Sequence, residues 1–129
     1  MSPKLMVVDN EIDICNFVKS FFEVRGFKVT GALNGDEALA KLETEKPDVI
    51  LLDVMMRTDT EGLDYLPRIK KKVPSAKVIM VTGVEDRDTI EAAHKHGADD
   101  YITKPLVLEY LESTVMRKIK SLGIPAAVS

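Results

Sequence analysis

The sequence predicts a doubly wound α/β domain, a five-stranded parallel sheet with five helices, on three observations. Short blocks rich in Val, Ile and Leu alternate with helix-length stretches along the chain. Three of these blocks, Leu5 to Val8, Val49 to Leu52 and Val78 to Val81, are apolar at successive positions, the pattern of a strand covered on both faces. The linking stretches carry a helical period, and right-handed crossovers between parallel strands place such helices on both sides of the sheet.

The strands are expected at Leu5 to Val8, Phe27 to Thr30, Val49 to Leu52, Val78 to Val81 and Tyr101 to Thr103. The first helix carries Ile14, Val18, Phe21 and Phe22 on one stripe and stops at Gly26. In the second, Ala38, Leu39 and Leu42 follow Asn34, a good cap, with Asp36 and Glu37 in the first turn, where negative charge is favoured. The third carries Leu63, Leu66 and Ile69 and contains Pro67, so it is expected to begin near Gly62, which keeps the proline in or near the first turn. Ile90 and Ala93 lead the fourth to a stop at Gly97. Leu108, Leu111, Val115, Ile119 and Leu122 form the long stripe of the fifth, with Arg117, Lys118 and Lys120 near its end. One domain over residues 1–123 and a frayed tail over 124–129 are expected.

Composition narrows the function. With 129 residues, 45% hydrophobic and 30% charged, the chain is long and apolar enough for one globular core. No apolar run exceeds four residues, against roughly 20 for a membrane span, so a cytoplasmic protein without membrane contact is expected. The single cysteine, Cys15, excludes an internal disulfide and a Cys-based zinc site, and reads as a small buried residue of the first helix. The net charge of -3 and scattered basic residues leave no footprint for direct nucleic-acid binding.

In doubly wound sheets ligands bind beyond the carboxyl ends of the strands. There stand Asp9, Asn10 and Glu11 after the first strand, Asp53 after the third, Thr82 and Gly83 after the fourth, and Lys104 with Pro105 after the fifth. Two carboxylates and an amide oxygen suit a hard cation such as Mg²⁺. A carboxylate beside that cation can attack phosphorus, while a hydroxyl and an ammonium, here Thr82 and Lys104, bind the phosphoryl oxygens.

These segments, Leu5-Met6-Val7-Val8-Asp9-Asn10-Glu11, Pro47 to Asp53, Val81-Thr82-Gly83 and Gly97 to Leu106, stand in order at fitting distances, and over Lys4 to about Leu122 the chain resembles a receiver domain of a bacterial two-component response regulator. The resemblance implies strand order 2-1-3-4-5. It makes Asp53 the phosphoacceptor, with Thr82 and Lys104 completing the catalytic group, Thr82 and Tyr101 the switch pair, and Asp9, Asn10, Asp53 and Met55 the Mg²⁺ site. It also implies a sensor histidine kinase or phosphotransfer protein as donor. The output is a shift in the surface formed by helix 4, strand 5 and helix 5, which also offers a route to a homodimer. Such a domain is a switch with slow self-dephosphorylation rather than an enzyme.

Three departures from the family pattern stand out. Asn10 occupies the position of a second acid, the family's direct metal ligand, so weaker Mg²⁺ binding is expected. The loop Val54-Met55-Met56-Arg57-Thr58-Asp59-Thr60-Glu61-Gly62 lacks the usual proline and is one residue longer before its glycine. Gly83 replaces a common alanine and relaxes the backbone.

Plainer readings stand beside these. Asp9 and Asn10 also suit a helix cap, and Tyr101 also reads as a half-buried strand aromatic. Met55, Met56 and Met80 read first as core filler. His94 and His96, two apart on a helix, point apart and make a poor metal pair. A haloacid-dehalogenase-type phosphatase using Asp9, Thr82 and Lys104 fits poorly, because Asp99 and Asp100 precede the lysine instead of following it. A flavin or dinucleotide module is excluded by the lack of glycine between Asp9 and Arg25. The competing reading is a receiver-like interaction module that is not phosphorylated, which Asn10 favours.

Overall fold

The computed structural model describes residues 2–83 and 87–124. In chain order the elements are β1 (Lys4–Val8), α1 (Ile12–Glu23), β2 (Lys28–Ala32), α2 (Gly35–Glu45), β3 (Val49–Asp53), α3 (Glu61–Lys72), β4 (Lys77–Thr82), α4 (Arg87–Lys95) and β5 (Asp100–Thr103). The last helix, α5, runs through Leu108–Tyr110, Leu111–Val115 and Met116–Ser121, of which the middle piece is π-helical. The five strands lie in the order β2-β1-β3-β4-β5, all parallel.

The continuous apolar runs are explained by two cores. Leu5, Val7, Leu51, Ile79 and Ile102 point to one face, where α1 brings Val18 and Phe22 and α5 brings Leu111, Val115 and Ile119. Met6, Val8, Ile50, Leu52, Val78 and Met80 point to the other, against Leu42 of α2, Leu66 and Ile69 of α3 and Ala93 of α4. Each large side chain so buried is worth roughly 1.5–3 kcal/mol, and the sum fixes the sheet from which the site residues project.

Helix ends follow local chemistry. The Asn34 side chain accepts from the Glu37 backbone N–H at 2.8 Å and caps α2. Gly26 and Gly97, with φ of 90° and 102°, follow α1 and α4 in a conformation that costs other residues more.

The third helix begins at Glu61, near Gly62 as expected, with Pro67 exposed in its second turn, where it removes the donor that would have met the Leu63 carbonyl. Three expectations are corrected. The final stripe is not a uniform α-helix but is widened by the π-helical segment over Leu111–Val115, which still buries Leu111 and Val115. Ile124, assigned to the tail, is buried on the first core, and its N–H reaches the Ile119 carbonyl at 3.3 Å; the rest of that tail, 125–129, lies outside the described residues. Of the three methionines read as core filler, Met80 is buried and Met56 packs on the second core, but Met55 is 52% exposed.

The two edge strands are each covered by a lysine of the following helix. Lys41 Nζ of α2 donates to the Gly31 carbonyl of β2 at 2.6 Å, and Lys118 Nζ of α5 donates to the Tyr101 carbonyl of β5 at 2.7 Å. On β5, the Thr103 N–H also donates to the Tyr110 hydroxyl, and the Tyr101 N–H to Asp100 Oδ1.

Candidate functional site

The carboxyl ends of β1, β3, β4 and β5 meet at one rim of the sheet. Asp9 follows β1, Asp53 and Thr82 end β3 and β4, and Lys104 follows β5, its N–H bonded to the Thr82 carbonyl at 2.8 Å. Asp9, Asp53 and Thr82 are buried. Lys104 reaches back across β4 so that its Nζ stands 2.9 Å from Asp53 Oδ2 and 3.0 Å from Asp9 Oδ2. Asp9 Oδ1 accepts from the Glu11 N–H at 2.9 Å. The reading of Asp9 and Asn10 as helix caps does not hold: α1 starts at Ile12 with Glu11 at the cap position and no side-chain cap bond.

One ammonium serves two buried carboxylates, and the electrostatics show it. Burial pushes the Asp53 carboxyl up from an ordinary 3.8 to about 6; the Asp9 charge adds to that rise, and Lys104 opposes it. Burial works against the charge of Lys104, but the Asp53 and Asp9 carboxylates outweigh it and raise its pKa. Burial likewise pushes the Cys15 thiol up to about 11, aided by the Asp9 charge. That thiol donates to the Asp9 carbonyl at 3.4 Å, a buried structural contact.

The remaining expected residues sort as follows. Asn10 is exposed at the head of the loop after β1. Met55 begins the exposed loop after Asp53 and Val54. Tyr101 is half-buried, packed on the second core, with Lys118 Nζ 4.8 Å from its ring centre. Gly83 is exposed, and a Cβ there would meet nothing within 4 Å, so no close contact demands glycine. His94 and His96 are exposed. Among the described residues no three His, Cys, Asp or Glu side chains gather into a metal cluster, so the acid ligands available at the rim are Asp9 and Asp53.

The sequence reading missed Glu61. Its carboxylate is 3% exposed at the start of α3, held by Arg57 and by the N–H of Gly35. No local signal marked it: Arg57, four residues earlier, lies in the loop before α3 and not on the helix. Beside it, Gly62 lies so close to the acceptor strand that a Cβ would stand 2.0 Å from the Asp53 carbonyl oxygen.

Comparison with known proteins agrees with this geometry. The profile of the response regulator receiver domain matches residues 5–116. The chemotaxis protein CheY of Listeria monocytogenes is 39% identical over 114 residues, covering 84% of this chain and 95% of that protein. A response regulator from Thermotoga maritima has a crystal structure that superposes with a TM-score of 0.81 at 37% identity, over 93% of this chain and 99% of that one. The nitrogen assimilation regulatory protein NtrX of Azorhizobium caulinodans is 32% identical over 96% of this chain, which spans only 28% of its length. The chain spans 43% of the alkaline phosphatase synthesis regulator PhoP of Bacillus subtilis. On a match that covers most of its length, the chain belongs to the response regulator receiver domains, the phosphoacceptor modules of two-component signal transduction.

Proposed function

We propose that Asp53 is the residue that takes the phosphoryl group, from the phosphohistidine of a sensor histidine kinase or a phosphotransfer protein, and that Thr82 and Lys104 bind the transferred oxygens. The observation that carries this reading is the Lys104 ammonium shared by Asp53 and Asp9 at 2.9 and 3.0 Å. A cation held against the attacking carboxylate is placed to follow charge as it moves onto the phosphoryl oxygens. Burial excludes water around Asp53 and strengthens each of these interactions. The Thr82 hydroxyl, at the end of the strand between β3 and β5, is the neutral donor of the group. Its movement toward the phosphoryl oxygens would vacate space for Tyr101, coupling the site to the α4, β5 and α5 surface; that surface is also where a second copy would dock.

The residues present fit a hard divalent cation. Two buried carboxylates with one shared ammonium leave excess negative charge and only oxygen donors, the chemistry Mg²⁺ prefers. Asp9 and Asp53 would hold it, with the Asn10 amide oxygen and the Met55 backbone carbonyl, since the Met55 thioether is too soft. When bound, it supplies charge neutralisation for the incoming phosphoryl oxygens. Asn10 contributes no charge, and the site is weaker for it.

On this reading the domain works as a signalling switch of the cytoplasm rather than as an enzyme. No helix among the described residues is long and apolar enough to cross a membrane. Direct nucleic-acid binding is not assigned to it. Intact-mass spectrometry after incubation with acetyl phosphate and Mg²⁺ tests the reading: one phosphoryl group should be gained by the parent and none by Asp53→Asn. Undiminished, acid-stable label on the variant would refute Asp53 as acceptor.

A further inference from the structure

The loop between Asp53 and α3, Val54 to Thr60, contains no proline, yet it is closed at both ends. At its base, the Gly62 N–H donates to the Val54 carbonyl at 2.9 Å, and the missing Cβ of Gly62 lets the first turn of α3 rest on the Asp53 carbonyl. At its crown, Glu61 Oε1 accepts from the Arg57 backbone N–H and Nε, both at 2.9 Å, while Oε2 accepts from Arg57 Nη2 at 2.6 Å and from the Gly35 N–H of α2 at 2.8 Å. Arg57 Nη1 continues to Asp36 at 3.5 Å, and Asp36 also accepts from the Tyr65 hydroxyl. The Tyr65 ring lies where a Cβ on Gly35 would stand, within 2.3 Å, so the first turns of α2 and α3 are in contact as well as bonded.

We propose that Arg57 and Glu61 are positioning residues for the phosphoacceptor: by tying the loop after Asp53 and the start of α3 to the first turn of α2, they set the backbone of Asp53 to Met55. This rests on Asp53 being the acceptor. The bidentate fork and the two backbone donors fix both position and orientation of the carboxylate, which a single point contact would not. A proline at 57 would lack the N–H that Glu61 accepts, so this clamp and a proline there exclude each other. Because Gly62 follows Glu61 in the chain and touches Asp53, displacement at the clamp is passed to the acceptor through one residue of rigid backbone.

The test compares Arg57→Ala, Arg57→Lys, Glu61→Gln and, as a control, Lys72→Ala. Lys72 binds Glu43 at 3.5 Å and the Leu39 carbonyl at 3.1 Å, joining the same two helices at the end away from the site. Arg57→Ala should move the backbone amide resonances of Asp53, Val54 and Met55 in the unphosphorylated protein. It should also lower the maximal rate of labelling by acetyl phosphate about tenfold, since a small misplacement of reacting groups costs one to two orders of magnitude. The donor concentration at half-saturation should stay within about twofold, the mark of a loss confined to the reacting geometry. Arg57→Lys should recover part of the rate, and Lys72→Ala should keep all of it. Unmoved amides with an unchanged rate in folded Arg57→Ala would overturn the proposal, as would an equal loss in Lys72→Ala. If Glu61→Gln does not fold, the half-exposed Arg57 still supplies the test. A parent that takes no label would defeat the phosphoacceptor reading instead, and the amide shifts would still judge the clamp.

Discussion

Asp53 and Glu61 stand at the two ends of one loop, are 2% and 3% exposed, and are pushed in opposite directions. Burial, with Asp9 adding to it, lifts Asp53 to about 6. The Arg57 fork, helped by the Gly35 and Arg57 N–H groups, overrides burial at Glu61 and lowers it to about 2. Depth alone therefore says little about a buried acid; what matters is how many donors face it. Glu61 accepts four hydrogen bonds, two of them from backbone N–H groups, and is finished as a structural group. Asp53 shares one ammonium with a like charge, and the deficit is what an incoming cation would make good.

Exchanging the two acids for neutral residues breaks the comparison most sharply in function: Asp53→Asn should lose all labelling by acetyl phosphate, whereas Glu61→Gln should slow it without abolishing it, as read by intact mass over time. Gly62→Ala comes next, because its Cβ would collide with backbone at Asp53 and Val54 rather than with a yielding side chain. A loss of about 3 kcal/mol is expected in urea unfolding, and a loss under about 1 kcal/mol would show that the start of α3 is free to shift. Glu61→Ala should cost about 2 kcal/mol at pH 7 for the donors left unpaired. Since the folded pKa of Glu61 lies below its ordinary 4.5, this contribution is present at neutral pH and is lost as pH falls through 4.5 toward about 2.

A smaller effect is expected at the rim. Asn10→Asp should tighten Mg²⁺ binding about tenfold, or ~1.4 kcal/mol, by adding a charge to the ligand set; titration showing equal or weaker binding would mean that another group already supplies it. Smallest is the stability of Asp53→Asn. A folded pKa raised above its unfolded value makes the carboxylate a cost that grows as pH rises from about 4 to about 6. The variant should therefore be about 1 kcal/mol more stable than the parent at pH 7. That gain should shrink below pH 6 and be gone near pH 4; a gain independent of pH would contradict the assignment of the raised pKa to Asp53.

The same contrast explains what was legible in the sequence. The five strands were readable because both faces of a parallel sheet are buried, which leaves uninterrupted apolar runs such as Val49 to Leu52. Asp53, Thr82 and Lys104 were readable because topology, not local conformation, decides that residues after strands converge. Glu61 was hidden: an acid in the first turn of a helix ordinarily complements the helix dipole in water, and nothing near it in the chain announces that Gly35 of another helix will cover it. The π-helical segment in α5 leaves Leu111 and Val115 on the same buried side, so the apolar stripe looks the same with or without it.

The lysines over β2 and β5 have a consequence for assembly. A sheet edge is a template for a further strand, the route to open-ended aggregation, when its outward N–H and C=O groups are free. Lys41 occupies the Gly31 carbonyl at one edge; at the other, Lys118 and Asp100 occupy the carbonyl and N–H of Tyr101, and Tyr110 the N–H of Thr103. Strand-by-strand growth from either edge would first have to evict these side chains, so the sheet is guarded at both sides against extension into a continuous ribbon of backbone.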